Sequence, residues 1–155
     1  FAQAGNIGTL IIGEDLIGIG NCAFYECTGL DSISFGNGIK VIGNYAFAGC
    51  GSLRDVAIPD LCSLGQIGDH AFYSCTNLTK FTLPINVSYV GDYAFAECRF
   101  LSDFVMCNYG DANDRSNLTE LGWNVFENCE TLSSLTFPAT TMKQWIFPWS
   151  RDART

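Results

Sequence analysis

Residues 42–50, IGNYAFAGC, decide the fold, because the chain carries four further versions of them. These are IGNCAFYEC from Ile19, IGDHAFYSC from Ile67, VGDYAFAEC from Val90 and LGWNVFENC from Leu121. Their first residues lie 23, 25, 23 and 31 positions apart, and the closing cysteines Cys27, Cys50, Cys75, Cys98 and Cys129 keep the same four intervals. Two landmarks sharing one irregular set of spacings mark an internal repeat, and a period of roughly 20 to 50 residues points to a solenoid.

A second pattern follows each block: LDSISF from Leu30, LRDVAI from Leu53, LTKFTL from Leu78, LSDFVM from Leu101 and LSSLTF from Leu132. Its last positions alternate apolar and polar with the period of a strand. In the AFxxC block the Ala and Cys are four apart and the Phe and Cys three apart, the spacing of one face of a short helix. One short strand and one short helix are therefore expected per repeat of about 23 residues. Asn21, Asn44, Asp69 and Asp92 precede the blocks, where a side-chain oxygen can cap the free N–H groups of a helix. Pro59, Pro84 and Pro138 follow the strands, where a missing N–H favours leaving the sheet.

The opening stretch NIGTLIIGEDLIGIG, from Asn6, matches a strand and the run-up to the next block, so the chain starts part-way through a repeat. The expected organisation is one α/β repeat domain over 1–155. It comprises a partial repeat at 1–18, repeats at 19–41, 42–66, 67–89, 90–120 and 121–143, and a non-repeat segment at 144–155. A single repeat cannot bury its own apolar face, so each rung is stable only against its neighbours.

At 155 residues, 48% hydrophobic and 15% charged, the chain reads as a folded body and not as a disordered one. No apolar run reaches the roughly 18 residues of a membrane span, so membrane insertion is not expected. The net charge of -8 comes with basic residues scattered singly, whereas nucleic-acid binding needs a concentrated basic stripe. The chain opens at Phe1 with no basic segment and apolar core before the first repeat. An export signal is thus either already removed or absent from this sequence, and the acidic balance and the cysteines favour removal and a secreted protein.

With the unit L-x-x-φ-x-φ-P, an apolar residue, φ-G-[N/D]-x-A-F-x-x-C and the next Leu (φ, apolar), the chain resembles the BspA-like class of leucine-rich repeat from about Asn6 to Pro138. The resemblance implies a curved, right-handed horseshoe or arc that is exported, non-catalytic and often adhesive. It specifies no ligand. Gly36 and Cys107 stand where Pro is usual, Trp123 and Val125 alter the last block, and the segment after Pro138 leaves the pattern.

Eight cysteines suggest disulfides or metal at first sight. The five repeat cysteines read better as small buried groups facing the core. On the wider, helical side of each rung they would often exceed the roughly 7 Å reach of a bridge. Cys62 and Cys107 both fall in expanded repeats, and a staple between them is conceivable. Cys22 takes an outward slot, either free or paired with another molecule. No C-x-x-C pair occurs and His70 is the only histidine, so neither a zinc site nor any other cofactor is expected.

His70 reads as an outward residue of a turn, and a Cys–His nucleophilic pair would need a thiolate beside it. A hydrolase on a solenoid scaffold is the reading of another class. Asp111, Asn113 and Asp114 could offer oxygens to calcium but lack the spacing of a known loop, and an ordinary polar loop fits them better. Asn77, Asn86 and Asn117 stand in Asn-x-Ser/Thr triplets, acceptors of glycan in a eukaryotic secretory route.

Partner binding is expected on the outward strand positions, which form the concave face: Ser32, Ser34, Asp55, Ala57, Lys80, Thr82, Asp103, Val105, Ser134 and Thr136. They lack the Trp, Tyr and Arg anchors of a tight protein interface, which leaves glycan or weak multivalent protein contact at a cell surface or matrix. Ile7, Leu10 and Ile12 at one end and Trp145, Phe147 and Trp149 at the other suggest either capping or a contact between subunits. Repeated head to tail, such a contact builds a filament of the protein with itself.

Overall fold

The computed structural model describes residues 1–106 and 117–136. Every described repeat contributes a longer strand and a two-residue one. The longer strands are β1 (Thr9–Ile11), β3 (Ser32–Ser34), β5 (Asp55–Ala57), β7 (Lys80–Leu83), β9 (Asp103–Met106) and β11 (Ser134–Thr136). The two-residue strands are β2 (Gly18–Ile19), β4 (Val41–Ile42), β6 (Gln66–Ile67), β8 (Tyr89–Val90) and β10 (Glu120–Leu121). All pairings are parallel and in register with the repeat, so that Ile33 meets Val56, Ile42 meets Ile67 and Phe81 meets Phe104. The chain is a parallel β-solenoid.

The expected helix does not form. Tyr45, Phe47 and Gly49 donate their N–H groups to Asp69, Ala71 and Tyr73 of the next rung, at 2.8 to 2.9 Å. The residues between them, Ala46, Ala48 and Cys50, donate to carbonyls three residues back. Tyr45 and Gly49 hold φ of 55° and 76°, and the pair recurs as His70 and Ser74, Tyr93 and Glu97, Asn124 and Asn128. A helix needs every N–H for its own turn and tolerates no such left-handed residues. Spacings of three and four fit this alternation as well as they fit a helix, which is why the sequence pattern misleads.

The same geometry removes the wide helical side expected of each rung. The turn side, like the two-residue strand side, bonds rung to rung at backbone hydrogen-bond distance.

The core is a file of phenylalanines. Phe24, Phe47, Phe72 and Phe95 are buried, with successive ring centroids 5.2, 5.4 and 5.3 Å apart, and Phe126 continues the stack at 6.1 Å. Phe81 and Phe104 from the strands meet Phe95 edge-on at 4.6 and 5.1 Å, a favoured aromatic geometry. Leu30, Leu53, Leu78 and Leu101 form a parallel column with no exposed surface.

The residues expected to cap helices form a ladder instead. Asn21 Oδ1 accepts the N–H of Asn44, Asn44 Oδ1 that of Asp69, Asp69 Oδ1 that of Asp92 and Asp92 Oδ1 that of Trp123, at 2.8, 3.0, 3.0 and 2.7 Å. Each rung thus satisfies an amide of the next. Asn44→Ala is expected to cost about 1 kcal/mol in urea denaturation, the worth of one partly solvated hydrogen bond, and Asn44→Asp much less.

Candidate functional site

The residues expected to bind a partner do line one face, but in two groups. Ser32, Ser34, Asp55 and Ala57 lie in the sheet β1-β3-β5, and Lys80, Thr82, Asp103, Val105, Ser134 and Thr136 in the sheet β7-β9-β11. Ser34, Asp55, Ala57 and Lys80 are exposed; Ser32, Thr82, Asp103, Val105 and Ser134 are half-buried. Strand alternation sends these side chains outward while Ile33, Phe81 and Phe104 fill the interior. Ser32 Oγ donates to Thr9 Oγ1 at 3.1 Å and Ser102 Oγ to Asp103 Oδ2 at 3.2 Å. The face is a row of short polar groups with Lys80 in register beside Asp103.

The thiols form a column of their own. Each Sγ–H of Cys27, Cys50, Cys75, Cys98 and Cys129 donates to the carbonyl of the phenylalanine one rung back, at Phe1, Phe24, Phe47, Phe72 and Phe95, with contacts of 3.1 to 3.3 Å. Rungs this close would not keep the cysteines beyond disulfide reach, as the helix had implied. The thiols are nevertheless free, each aimed at a carbonyl and not at another sulfur. Burial pushes the Cys50 and Cys129 thiols up to about 12 and those of Cys75 and Cys98 well above the ordinary value. A neutral, walled-in thiol is no nucleophile.

Cys62 is likewise free and buried, its pKa raised first of all by that burial. Its suggested partner Cys107 lies outside the described residues, as do Asp111, Asn113 and Asp114. Cys22 alone among the described cysteines is exposed. A thiol reagent applied to native protein is expected to label the peptide containing Cys22 and to spare those containing Cys50, Cys75 and Cys98, as peptide mass mapping would show. Labelling of the buried column would overturn the packing.

The outward slot of the turn holds a feature that the sequence reading missed. Tyr45, His70 and Tyr93 stack ring on ring at 4.5 and 5.0 Å, and Tyr73 leans on His70 at 5.5 Å. Asn124 Nδ2 donates to the Tyr93 hydroxyl at 3.0 Å. Rings at one slot of three successive repeats were the available signal. His70 Nδ1 is buried without a hydrogen-bond partner. The nearest cysteine in sequence, Cys75, points to Phe47, so no Cys–His pair forms between them.

The three glycan triplets differ in structure. Asn86 Nδ2 donates to Cys62 O at 2.7 Å, and Asn117 Nδ2 to Asn86 Oδ1 at 3.3 Å, so a glycan on either would take up one of the two N–H groups of an amide engaged in an inter-rung bond. Asn77 is half-buried in a turn. At the amino end Ile7 and Leu10 are half-buried and Ile12 is buried; Trp145, Phe147 and Trp149 lie outside the described residues. Among the described residues no group of three or more His, Cys, Asp or Glu could hold a metal, and no helix is long and apolar enough to cross a membrane.

The family model described as BspA type leucine rich repeat region matches residues 1–111 and 108–151, in six copies. Comparison with curated proteins finds no match. Among solved structures, a leucine-rich repeat protein from Bacteroides ovatus is 29% identical, with TM-score 0.61, over 81% of this chain and 36% of that one. The pneumococcal vaccine antigen PcpA is 21% identical, with TM-score 0.65, over 80% of this chain and 29% of that one. The leucine-rich repeat protein TpLRR of T. pallidum is 21% identical, with TM-score 0.50, over 88% of this chain and 81% of that one. The chain spans about a third of the length of the first two, and the likeness to PcpA and TpLRR is one of fold.

Proposed function

Because the chain belongs to the BspA-type leucine-rich repeat family, we propose that it is a non-catalytic protein of the cell surface or extracellular matrix, an adhesion module working through contact with other macromolecules. The observation that supports this most is the pairing of an accessible, regular face with an inert interior. The long-strand face presents short polar side chains in repeated columns, while the thiols that could act as nucleophiles are held protonated inside. Repeated shallow contacts of this kind suit weak, multivalent binding to protein or glycan.

Binding of the purified protein to an array of glycans and a panel of matrix proteins tests the reading. Ser34→Arg and Thr82→Arg place bulk and charge in the middle of the face without touching the core. They are expected to reduce retention at least about ten-fold. Retention unchanged in both variants would remove the face from the proposal.

A second reading, a subunit of a head-to-tail assembly, is supported by the open outer edge of β1, which has no strand partner among the described residues. A preceding rung or the last rung of another copy would complete that edge equally well. Light scattering over a dilution series, with electron microscopy of native material, separates the two readings. A monomer at high concentration counts against assembly.

A further inference from the structure

The two-residue strands form one unbroken sheet, β10-β8-β6-β4-β2, whereas the long-strand side is split between β5 and β7. At every other step of that side a fixed set of bonds recurs. Asp31 and Ser32 donate to Gly8 O, Arg54 and Asp55 to Asp31 O, Ser102 and Asp103 to Thr79 O, and Ser133 and Ser134 to Ser102 O. The equivalent bonds from Thr79 and Lys80 to Arg54 O are missing. Ile12 donates to Ser34 O and Phe35 to Ala57 O, but Ile58 makes no such bond to Thr82.

The opening has sharp limits. On one side of it Tyr45, Phe47 and Gly49 remain bonded to the next rung, and Thr76 Oγ1 donates to Gly51 O at 3.4 Å. On the other side β6 pairs with β8, and Asn86 Nδ2 reaches Cys62 O. The opening coincides with a longer stretch of chain between two inward residues. Ile33 and Ile39 are six apart, as are Phe81 and Val87, but Val56 and Leu64 are eight apart. The surplus carries Pro59 and an exposed Leu61. The core registers the split as well: Val56 and Ile58 are only half-buried, whereas their counterparts Ile33 and Phe35, Phe81 and Leu83 are buried.

We infer that this step is a hinge. The edges of β5 and β7 part and close while the turn side and the two-residue sheet stay joined, so the rungs up to Ala57 tilt against those from Lys80. The motion changes the spacing of Asp55 and Ala57 from Lys80 and Thr82, and therefore the shape that the long-strand face offers a partner. Thr76 and Asn86 act as stops at its two ends.

Hydrogen exchange followed by mass spectrometry tests the hinge on the whole chain without knowledge of any ligand. The amides of Ile58, Thr79 and Lys80 are expected to exchange at least about ten-fold faster than the equivalent amides of Phe35, Ser102 and Asp103. Asn86→Ala is expected to widen that difference and leave Ser102 and Asp103 unchanged. Removing Asp60 and Leu61 restores the spacing of six and is expected to slow exchange at Thr79 and Lys80 to the level of Ser102. Equal protection at the two sets of amides in the unaltered protein would overturn the hinge, whether or not the variants fold.

Discussion

Raising the pH from about 8 to about 10 is expected to strip several kcal/mol from the stability of the fold. The cause is the thiol column. In the unfolded chain a cysteine loses its proton near 9.0, but burial holds the Cys50 and Cys129 thiols neutral to about 12 and those of Cys75 and Cys98 well above the ordinary value. A folded pKa raised above the unfolded one supplies stability that is fully present below the unfolded value and is lost as pH climbs toward the folded one. One pH unit past the unfolded value each such thiol forfeits on the order of 1 kcal/mol, so the four together forfeit several kcal/mol. That is a large share of the roughly 5 to 15 kcal/mol that holds a typical domain together. Urea denaturation at a series of pH values measures it. Cys75→Ser, whose hydroxyl does not titrate but can still donate to Phe47 O, is expected to reduce the slope by about a quarter. An unaltered slope would show that the thiol is not held as described.

The second large effect belongs to a glycine. A Cβ on Gly68 would meet Asn44 Oδ1 and lie 2.7 Å from Asn44 N and 2.8 Å from Gly43 C, backbone that cannot step aside. The same collision awaits at Gly43, Gly91 and Gly122, each against the Gly-Asn or Gly-Asp of the rung before. Gly68→Ala is therefore expected to cost about 3 kcal/mol, from forced separation of two rungs and loss of the Asp69 N–H bond to Asn44 Oδ1. Gly65→Ala is the control: its Cβ would come no nearer than 3.9 Å to Lys40 O, and a change within about 0.5 kcal/mol is expected. Equal costs at the two glycines would refute the close approach.

The repeat, the strands after each Leu, the inward Phe and Cys and the outward polar face could all be read from the chain, because each leaves a residue type at a fixed interval. What could not be read was how the turn side closes. A Phe and a Cys three apart project inward from a helix and equally from a turn with alternating bonds, and the difference lies in the partner of the Phe47 N–H, which is Ala71 one rung away. Left-handed Tyr45 and Tyr93 gave no warning, since tyrosine is not a residue that usually signals positive φ. Strand β4, only Val41–Ile42, is too short to show a period. The split between β5 and β7 was latent in the 25-residue repeat, yet length alone cannot tell a bulging loop from a parted sheet. The partner left no such mark for a different reason: short Ser, Thr and Asp side chains on a strand face fit many partners and single out none.

Because the bonds between rungs run along the axis on which the rungs are stacked, a load applied to the two termini pulls those bonds apart end-on and falls on one terminal rung at a time. Stretched in this way, the molecule would yield in steps. Each 23-residue unit released, such as that from Asn21 to Asn44, would lengthen the tether by about 80 Å at roughly 3.5 Å per residue, while the units still stacked behind it kept their shape. Under sudden strain the molecule would lengthen before it let go.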